Sequence, residues 1–407
     1  MSDEPSVVRR TLKNTDKSVS LFGFGGFRYP LTQPGNEASI DKVKLDEMVD
    51  YAIAHGVNYF DTGYMYHDGA SETCLGEILS KYPRDKYNFV TKMPIGDLKT
   101  EADVDRIFQH QLKKCRVDYF DFYLIHCVNK AFMVNCDNFH VHTYLKEKQR
   151  QGLIRHYGFS FHDTPELLKE AIDKYEPEFV QIQLNYMDWE LQDAKTQYKI
   201  IKDRGLQLVV MEPVRGGMLA QLCEKSREIF KKANPEAGIA SWALRYAASF
   251  PEVLCVLSGM GSLDQVKDNV RTFSPFRPLD DSERAVIDEA YGVYKKMLVI
   301  PCTACRYCCK GCPREIDIPA VFGVYNNYYI QGKFKKSAIQ DLYFRYGFIP
   351  ENRHWHRCIK CGACVRKCPQ NIDIPRRLRT FGKVYKRAWI LKKLYELSGK
   401  LGLTKHG

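Results

Sequence analysis

The sequence lacks the features that would place the protein in or across a membrane. Its 407 residues contain no uninterrupted apolar run of about 18 residues, which is the length that a helix needs to cross a bilayer. The first residues, MSDEPSVVRRTLKN, contain no apolar stretch of the kind found in secretory signals. We therefore expect a cytoplasmic protein without a transmembrane segment, and its length predicts two domains.

Cysteine is sparse in the first three quarters of the chain and dense afterwards. Six cysteines are scattered before residue 300, and the other nine fall in two clusters, 302–312 and 358–368. Cysteines separated by two residues in a cytosolic chain are typical of metal ligands rather than of disulfides.

Acidic residues are scarce in the same C-terminal part of the chain. Residues 301–407 contain 22 Lys and Arg against 6 Asp and Glu, whereas residues 1–300 contain 39 against 43. Part of this positive charge can offset anionic metal clusters. The rest could face an acidic electron carrier, a nucleic acid or a membrane.

Each cysteine cluster contains the motif Cys-x2-Cys-x2-Cys-x3-Cys-Pro. Two-residue gaps let three thiolates surround one cubane, and the fourth cysteine then reaches the other cluster, as in two-cluster ferredoxins. A zinc ribbon or a pair of redox disulfides is the alternative, but it leaves two cysteines of each motif without a role. The motifs therefore predict two 4Fe–4S clusters. The predicted ligands are Cys302, Cys305, Cys308, Cys312, Cys358, Cys361, Cys364 and Cys368.

Cys309 is the odd cysteine of the first cluster, because it adjoins Cys308 and belongs to no motif position. We interpret it as a packed cysteine that is not a ligand, and it could replace Cys308 only if the motif spacing shifted by one residue.

Short apolar runs alternate with amphipathic stretches between residues 20 and 270. Buried parallel strands have this appearance, and stretches such as 45–56 and 103–115 have helical spacing. Eight strand–helix units predict an α/β fold, the (β/α)8 TIM barrel. The eight runs are LFGFGG (21–26), NYFDT (58–62), YNFVTK (87–92), FDFYLIH (120–126), RHYGFS (155–160), FVQIQLN (179–185), LQLVVME (206–212) and VLCVLSG (253–259).

The predicted barrel is followed by a Pro-containing segment, SPFRPL, and a helix over 280–297. Along residues 376–400, apolar side chains recur at helical spacing with cations between them, which predicts a helix with a basic face packed on the cluster domain. The alternatives are a docking surface for an acidic ferredoxin or flavodoxin and a role at a membrane surface. The predicted parts of the chain are the barrel (1–279), a linking helix (280–300), the dicluster domain (301–375) and a basic helical tail (376–407).

Four polar residues lie where barrel enzymes carry their chemistry, at the carboxyl ends of strands. Asp61, Lys92 and His126 follow the second, third and fourth strands, and Tyr66 lies in the loop after Asp61. This set suits reduction of a carbonyl: Tyr66 gives a proton to the developing alkoxide, and Lys92, held by Asp61, lowers its pKa. His126 can orient the carbonyl. Taken one at a time, these residues could also be an ordinary ion pair and a core histidine.

These motifs resemble those of the aldo-keto reductase family. DTGYMY, NFVTKMP and YLIHCV are similar to its tetrad motifs and occur in the family order, and the likeness covers about residues 10–275. The family spacing favours Tyr66 over Tyr64 as the acid. The second cysteine motif resembles the ferredoxin domains attached to bacterial and archaeal members. The long insert between the motifs resembles the all-helical dicluster ferredoxin fold, so the resemblance implies a small, mainly helical second domain.

The resemblance also implies a nicotinamide site, with three departures from the family pattern. Phe161 stands where the family usually has an Asn. Met211 or Glu212 occupies the position of a Tyr that usually stacks on the nicotinamide. Gly259 and Gln265 occupy the positions at which many members bind the 2′-phosphate of NADP. It therefore implies NAD(P)H without a preference for NADP. The implied cofactor contacts are Gly25, Gly26, Ser160, Gln183, Met211, Ser258, Gln265 and Asn269.

Clusters pass single electrons whereas nicotinamide passes a hydride, and a flavin normally links the two. The clusters could be structural, serve a flavin in the barrel, or link to a partner. We predict an oxidoreductase that reduces a small carbonyl or conjugated molecule. The alternatives are an electron-transfer subunit whose barrel is a scaffold or binds a flavin, and a non-catalytic binding subunit. The expected electron partner is an acidic ferredoxin or flavodoxin, and no nucleic acid is expected.

Overall fold

The computed structural model describes residues 6–33, 36–297 and 299–400. The chain divides into two compact units. One contains the chain up to Arg215 and the segment Glu236–Arg284, and the other contains Gly216–Pro235 and the chain from Ala285 onward.

The first unit is built on a closed barrel of eight parallel strands, which confirms the predicted fold. Each strand pairs with the next along the chain, and the last pairs with the first to close the barrel. A short antiparallel hairpin precedes the barrel. The strands are β1 (Arg9–Thr11) and β2 (Ser18–Ser20) in the hairpin, then β3 (Phe22–Gly25), β4 (Tyr59–Asp61), β5 (Asn88–Met93), β6 (Phe120–Val128), β7 (Ile154–Phe161), β8 (Phe179–Gln183), β9 (Gln207–Met211) and β10 (Val253–Gly259).

The segments that connect the strands form helices, because their apolar residues recur every three or four positions and so share one face of a helix. The third helix, for example, buries Val104, Ile107, Phe108, Gln111 and Cys115. The helices are α1 (Lys42–Ala54), α2 (Ala70–Leu79), α3 (Ala102–Cys115), α4 (Lys130–Asn138), α5 (Val141–Arg150), α6 (Pro165–Tyr175), α7 (Asp188–Leu191), α8 (Ala194–Asp203), α9 (Glu224–Ala233), α10 (Ile239–Ala248), α11 (Leu263–Thr272) and α12 (Asp281–Lys295).

The hairpin covers one end of the barrel. Leu12 and Val19 are buried in one cluster with barrel residues such as Tyr59, Phe122 and Val209. Since β2 leads directly into β3, the hairpin lies at the amino ends of the strands. The carboxyl ends of the strands, which carry Asp61, Lys92 and His126, are at the other end of the barrel.

Among the described residues of the second unit, the regular elements are helices and none is a strand, as predicted for the dicluster domain. Besides α9 and most of α12, it contains α13 (Ile318–Ile330), α14 (Lys336–Gly347), α15 (Ala363–Arg366) and α16 (Ile374–Lys400). Phe322 and Tyr325 of α13, Leu342 of α14 and Phe381 of α16 are buried in its core. A Cβ atom on Gly382 would lie 2.4 Å from the ring of Trp355, so α16 can pack here only with glycine.

Two helices of this unit begin in the same way after the two cysteine motifs. The side chain of Asp317 accepts a hydrogen bond from the Ala320 amide at 3.3 Å, and that of Asp373 accepts one from the Arg376 amide at 3.2 Å. Each aspartate is followed two residues later by a proline, which suits the first turn of a helix. None of the described helices is long and apolar enough to cross a membrane.

Candidate active site and cysteine-lined cavities

The four predicted tetrad residues lie together at the carboxyl end of the barrel. Lys92 Nζ donates to Asp61 Oδ1 at 2.7 Å and to the carbonyl oxygen of Thr62 at 2.6 Å. The same Nζ lies 5.0 Å from the centre of the Tyr66 ring. The Tyr66 ring is 5.7 Å from that of His126, at an interplanar angle of 74°.

Tyr64, the rival tyrosine, lies in a different environment. Its ring faces Lys114 Nζ at 5.0 Å and the His110 ring at 6.2 Å. These contacts group Tyr66, and not Tyr64, with Lys92 and His126.

The turn that carries Tyr66 is held in an uncommon backbone conformation. His67 and Asp68 have φ values of 52° and 53°, in the left-handed region that costs a non-glycine residue about 1–3 kcal/mol. His67 Nε2 accepts a hydrogen bond from the Tyr29 amide at 3.0 Å, so its proton is on Nδ1, which lies 3.0 Å from the carbonyl oxygen of Glu37. These contacts anchor the turn on both sides, and sequence analysis did not identify His67.

Burial dominates the electrostatics of the site. It lowers the pKa of Lys92 and raises the pKa of Asp61, and in each case the partner opposes the effect. Burial, with the nearby Lys92 and His162, holds the pKa of His126 well below its usual range. His126 is therefore a neutral imidazole at pH 7 that can donate a hydrogen bond to a carbonyl oxygen. Asp61 Oδ2 and His126 Nδ1 are buried atoms without a hydrogen-bond partner in the described part of the chain.

A second buried carboxylate, Glu72, supports the strand that carries Lys92. Its oxygens accept hydrogen bonds from Thr91 Oγ1 at 2.6 Å, from Gln111 Nε2, and from Lys114 Nζ at 3.0 Å. Gln111 also donates to the carbonyl oxygen of Lys92 at 3.1 Å. Sequence analysis did not identify Glu72 or Gln111, because both stand at ordinary polar positions of predicted helices.

Two of the predicted cofactor contacts, Ser160 and Gln183, lie on β7 and β8. Ser160 Oγ accepts a hydrogen bond from the Cys127 amide at 2.8 Å, and Gln183 Nε2 donates to Asp188 Oδ2 at 2.6 Å. Gln181, which sequence analysis missed, pairs with Ser160 across the two strands. Its Nε2 lies 3.6 Å from Met211 Sδ, and its Oε1 is buried without a hydrogen-bond partner among the described residues. Gln181 thus has a hydrogen-bond acceptor available at this site. Residues two apart on a strand face the same side, so the sequence pattern could not distinguish Gln181 from Gln183.

The remaining predicted contacts surround β3 and β10. A Cβ atom on Gly25 would lie 3.1 Å from the carbonyl oxygen of Ser258, and one on Gly26 would lie 2.8 Å from that of Asp61. A side chain at Gly26 would therefore clash with the neighbouring strand, and one at Gly25 would fit only if the backbone of β10 shifted by a few tenths of an ångström. Ser258 Oγ accepts a hydrogen bond from Asn269 Nδ2 at 3.0 Å, which ties α11 to β10.

Gln265 lies exposed in the first turn of α11. Its Oε1 accepts a hydrogen bond from the Gly261 amide at 2.8 Å, and Ser262 caps the helix by accepting from the Gln265 amide at 3.4 Å. Arg28, which sequence analysis did not assign, packs beside Gly259, where an added Cβ would lie 3.1 Å from its side chain.

A buried ion pair behind Gln183 was also missed. Arg215 Nε donates to both oxygens of Asp188, at 2.9 and 3.0 Å, and both side chains are fully buried. Asn185 Nδ2 donates to the same carboxylate at 2.6 Å. Asp188 lies in the four-residue helix α7, and nothing in its sequence context distinguishes it from a surface aspartate.

The eight predicted cluster ligands line two cavities in the second unit. One is lined by Cys302, Cys305, Cys308 and Cys368. The other is lined by Cys312, Cys358, Cys361 and Cys364. The fourth cysteine of each motif thus lines the cavity of the other motif, the arrangement that the spacing predicts. Ile318 lines both cavities, and Cys309 lines neither.

The backbone bends around both cavities in the same way. Ala304 and Arg306 in the first motif, and Lys360 and Gly362 in the second, have positive φ values between 55° and 75°. No group of three His, Cys, Asp or Glu among the described residues is suited to hold a single metal ion. Four cysteines spread around a cavity fit a multi-iron cluster, whose separate iron atoms each take one thiolate.

Two family models match the chain. The model of the Aldo/keto reductase family matches residues 22–292, and the model of the 4Fe-4S dicluster domain matches residues 301–372. Among curated proteins, L-galactose dehydrogenase of Arabidopsis thaliana is 27% identical over 299 residues, which cover 66% of this chain and 89% of the relative.

Solved structures show the same fold for the barrel. The holo form of aldo-keto reductase AKR11C1 from Bacillus halodurans matches with a TM-score of 0.58 at 24% identity, over 70% of this chain and 96% of its own. An aldo-keto reductase from Klebsiella pneumoniae in complex with NADPH matches with a TM-score of 0.56 at 19% identity, over 70% of this chain and 95% of its own.

Proposed function

This chain belongs to the aldo/keto reductase family and is an oxidoreductase with a 4Fe–4S domain, and we propose that its barrel reduces a small carbonyl substrate. The observation that carries the proposal is the buried ion pair of Lys92 and Asp61, which lies against the Tyr66 ring and near His126. A fixed positive charge beside a phenol stabilises the phenolate left after proton transfer.

Each tetrad residue has one step in this proposal. Neutral His126 donates a hydrogen bond to the carbonyl oxygen and orients it. Tyr66 gives its hydroxyl proton to the oxygen as negative charge develops there, and Lys92 stabilises the phenolate that results. Asp61 holds the Lys92 ammonium. The carbonyl carbon gains a hydride and its oxygen gains the proton, so that the product is an alcohol.

We propose a nicotinamide as the hydride source. When bound, a nicotinamide supplies the hydride for the carbonyl carbon. The open acceptor of Gln181 suits the amide group of such a cofactor, and Ser160 lies beside it. The first turn of α11, with the nearby Arg28, suits an anionic phosphate because helix N-termini and guanidinium groups both favour anions.

We also propose that each cysteine-lined cavity holds one 4Fe–4S cluster that exchanges single electrons with an acidic carrier of the ferredoxin or flavodoxin type. Cys361 and the cations Arg314 and Lys360 are exposed, and all three line the cavity of the second motif. A cluster in this cavity lies next to a positively charged surface that an acidic carrier can approach.

The test uses anaerobically purified protein, a panel of small aldehydes and ketones, and both NADH and NADPH. Tyr66→Phe should lower turnover by about a hundredfold or more, because it removes only the proton donor. Tyr64→Phe is the matched control and should retain turnover. A titration of cofactor fluorescence should give the same affinity for all three proteins, and analysis of extracted cofactors distinguishes nicotinamide from flavin. Equal activity of both variants would contradict the proposal.

A further inference from the structure

The part of α16 from Lys383 onward and the segment 333–336, which joins α13 to α14, form one surface. The Arg387 guanidinium lies 5.3 Å from the centre of the Phe334 ring, and Tyr395 Oη donates to the carbonyl oxygen of Phe334 at 3.1 Å. The Phe334 amide in turn donates to Tyr328 Oη of α13 at 3.2 Å. The segment is therefore tied to both helices.

We call this surface the basic-apolar face. All its residues are exposed, and those of α16 recur mostly at three- and four-residue spacing, which places them along one side of the helix. Its residues are Lys333, Phe334, Lys335, Lys336, Lys383, Lys386, Arg387, Trp389, Ile390, Lys393 and Leu394.

The face is strongly cationic. Seven of its eleven residues are Lys or Arg, and α16 as a whole has nine Lys and Arg against one acidic residue, Glu396. The acidic residue of the adjoining helix α14, Asp341, accepts hydrogen bonds from Arg345, Asn327 and Gln331. This charge is complementary to an anionic partner.

The face also exposes large apolar side chains. The exposed fractions are 52% for Trp389, 55% for Ile390, 55% for Leu394 and 40% for Phe334. Single exposed apolar residues are common on protein surfaces, but several together among cations are typical of helices that lie in a membrane interface. Phe334 adds an apolar residue from a second segment of chain.

The distance between the apolar residues of this face and the cysteine-lined cavities argues against an electron carrier as the partner that binds there. Ile374 and Leu378, in the first turns of α16, line the cavities. Leu394 lies sixteen residues beyond Leu378, which is about 24 Å along a helix. A carrier that exchanges electrons with a cluster gains from docking beside it, whereas the apolar part of this face on α16 begins at Trp389, about three helical turns beyond Leu378.

We propose that the basic-apolar face binds the surface of an anionic phospholipid bilayer. Phe334, Trp389, Ile390 and Leu394 enter the boundary between headgroups and acyl chains, and the lysines and Arg387 contact lipid phosphates. The helix lies in the plane of the interface and does not cross the bilayer. This inference is independent of the reaction in the barrel.

The test is flotation of the full-length holoprotein with vesicles of phosphatidylcholine alone or with about 30% phosphatidylserine. The wild type should float with the anionic vesicles and not with the neutral ones, and sodium chloride at about 0.5 M should weaken the binding. Each cation near an anionic surface contributes about a fivefold factor in affinity, so Lys335→Glu/Lys336→Glu/Lys386→Glu should bind at least a hundredfold more weakly. The matched control, Lys225→Glu/Lys231→Glu/Lys232→Glu on α9, changes the same number of exposed charges off the face and should bind as the wild type does.

Tryptophan fluorescence gives a second readout with a mild variant. Trp389 should shift to shorter wavelength on anionic vesicles, and Trp389→Phe should lose this shift while retaining most of the binding. Absence of flotation, or equal loss of binding in both triple variants, would overturn the proposal. If the wild type does not float but the triple change on the face slows cluster reduction by an acidic carrier protein, the face is a protein-docking surface and the lipid proposal is wrong.

Discussion

Lys92 and Asp61 form an ion pair of 2.7 Å between side chains that are 0% and 4% exposed. Burying two charges costs several kcal/mol for each ion before their attraction is counted, so such a pair is weak evidence for a stabilising role. Its position against the Tyr66 ring suggests why the cost is tolerated: the charge is available where a phenolate would form.

Replacing Lys92 by Met tests this relationship. Lys92→Met should lower kcat/KM by about a hundredfold or more, because the phenolate of Tyr66 loses its counter-charge. Cofactor affinity, measured by fluorescence titration, should change less than about twofold. The control is Lys42→Met, which removes a cation of a surface ion pair with Glu77 instead. Similar kcat/KM values for the two variants would show that Lys92 does not act through Tyr66.

His162 gives a prediction for the pH dependence of stability. Burial lowers its pKa to about 4 in the folded protein, whereas a histidine in the unfolded chain has a pKa of about 6.5. Between these values the unfolded state binds more protons, so stability rises with pH and is lost as pH falls below about 6.5. One histidine contributes at most about 1.4 kcal/mol per pH unit in this window. Urea unfolding of His162→Asn between pH 5 and 7 should therefore show a shallower dependence than the wild type, and identical slopes would contradict the assignment.

The barrel could be predicted from sequence because buried parallel strands leave a local signal. The run FDFYLIH at 120–126 corresponds to β6 (Phe120–Val128), and VLCVLSG at 253–259 coincides with β10. The pairing of Cys312 and Cys368 with opposite motifs was likewise predictable, because short spacings restrict which thiols can share a cavity.

Contacts between distant segments left no such signal. Asp188 and Arg215 are 27 positions apart and look like surface residues in sequence, yet they meet fully buried. Gln181 and Gln183 point to the same side of one strand. They differ in their surroundings, because the side-chain amide of Gln183 donates a hydrogen bond to Asp188.

Asp188 gives a prediction for stability. Asp188→Ala leaves the Arg215 guanidinium buried without its carboxylate, which should lower the free energy of unfolding by about 3–5 kcal/mol. The control is Asp173→Ala, since Asp173 pairs with Arg204 at the exposed surface, where solvent screens ion pairs and they contribute little to stability. Chemical denaturation of the two variants measures the difference. A loss below about 1 kcal/mol for Asp188→Ala would show that Arg215 finds another partner.

The cations around the cavity of the second motif give a prediction for electron delivery. Arg314→Glu/Lys360→Glu should slow reduction of the clusters by a reduced acidic ferredoxin by about tenfold or more at low salt, because docking of opposite charges is steered electrostatically. Stopped-flow absorbance measures the rate. Salt at a few hundred millimolar should reduce the difference between variant and wild type. Lys335→Glu/Lys336→Glu makes the same charge change away from the cavity, and an equal effect from this control would mean that only net charge matters.

The crossed arrangement of the fourth cysteines can be tested by counting iron in paired variants. Cys305 and Cys368 line one cavity, and Cys361 lines the other. If each cavity holds one 4Fe–4S cluster, Cys305→Ala/Cys368→Ala removes two ligands of the same cluster and should leave about four iron atoms per chain. Cys361→Ala/Cys368→Ala removes one ligand from each cluster and should leave far fewer.

Motifs that each closed on their own cluster would give the opposite result. Cys361 and Cys368 belong to one motif in sequence, so their double variant would then retain about four iron atoms, and the Cys305/Cys368 variant would lose both clusters. Cys309→Ala is the control, because Cys309 lines neither cavity, and it should retain about eight iron atoms and eight sulfides. Iron and sulfide analysis of these three proteins, purified without oxygen, distinguishes the two arrangements. Both double variants remove two thiols, so the variant that retains about four iron atoms identifies the two cysteines that bind the same cluster.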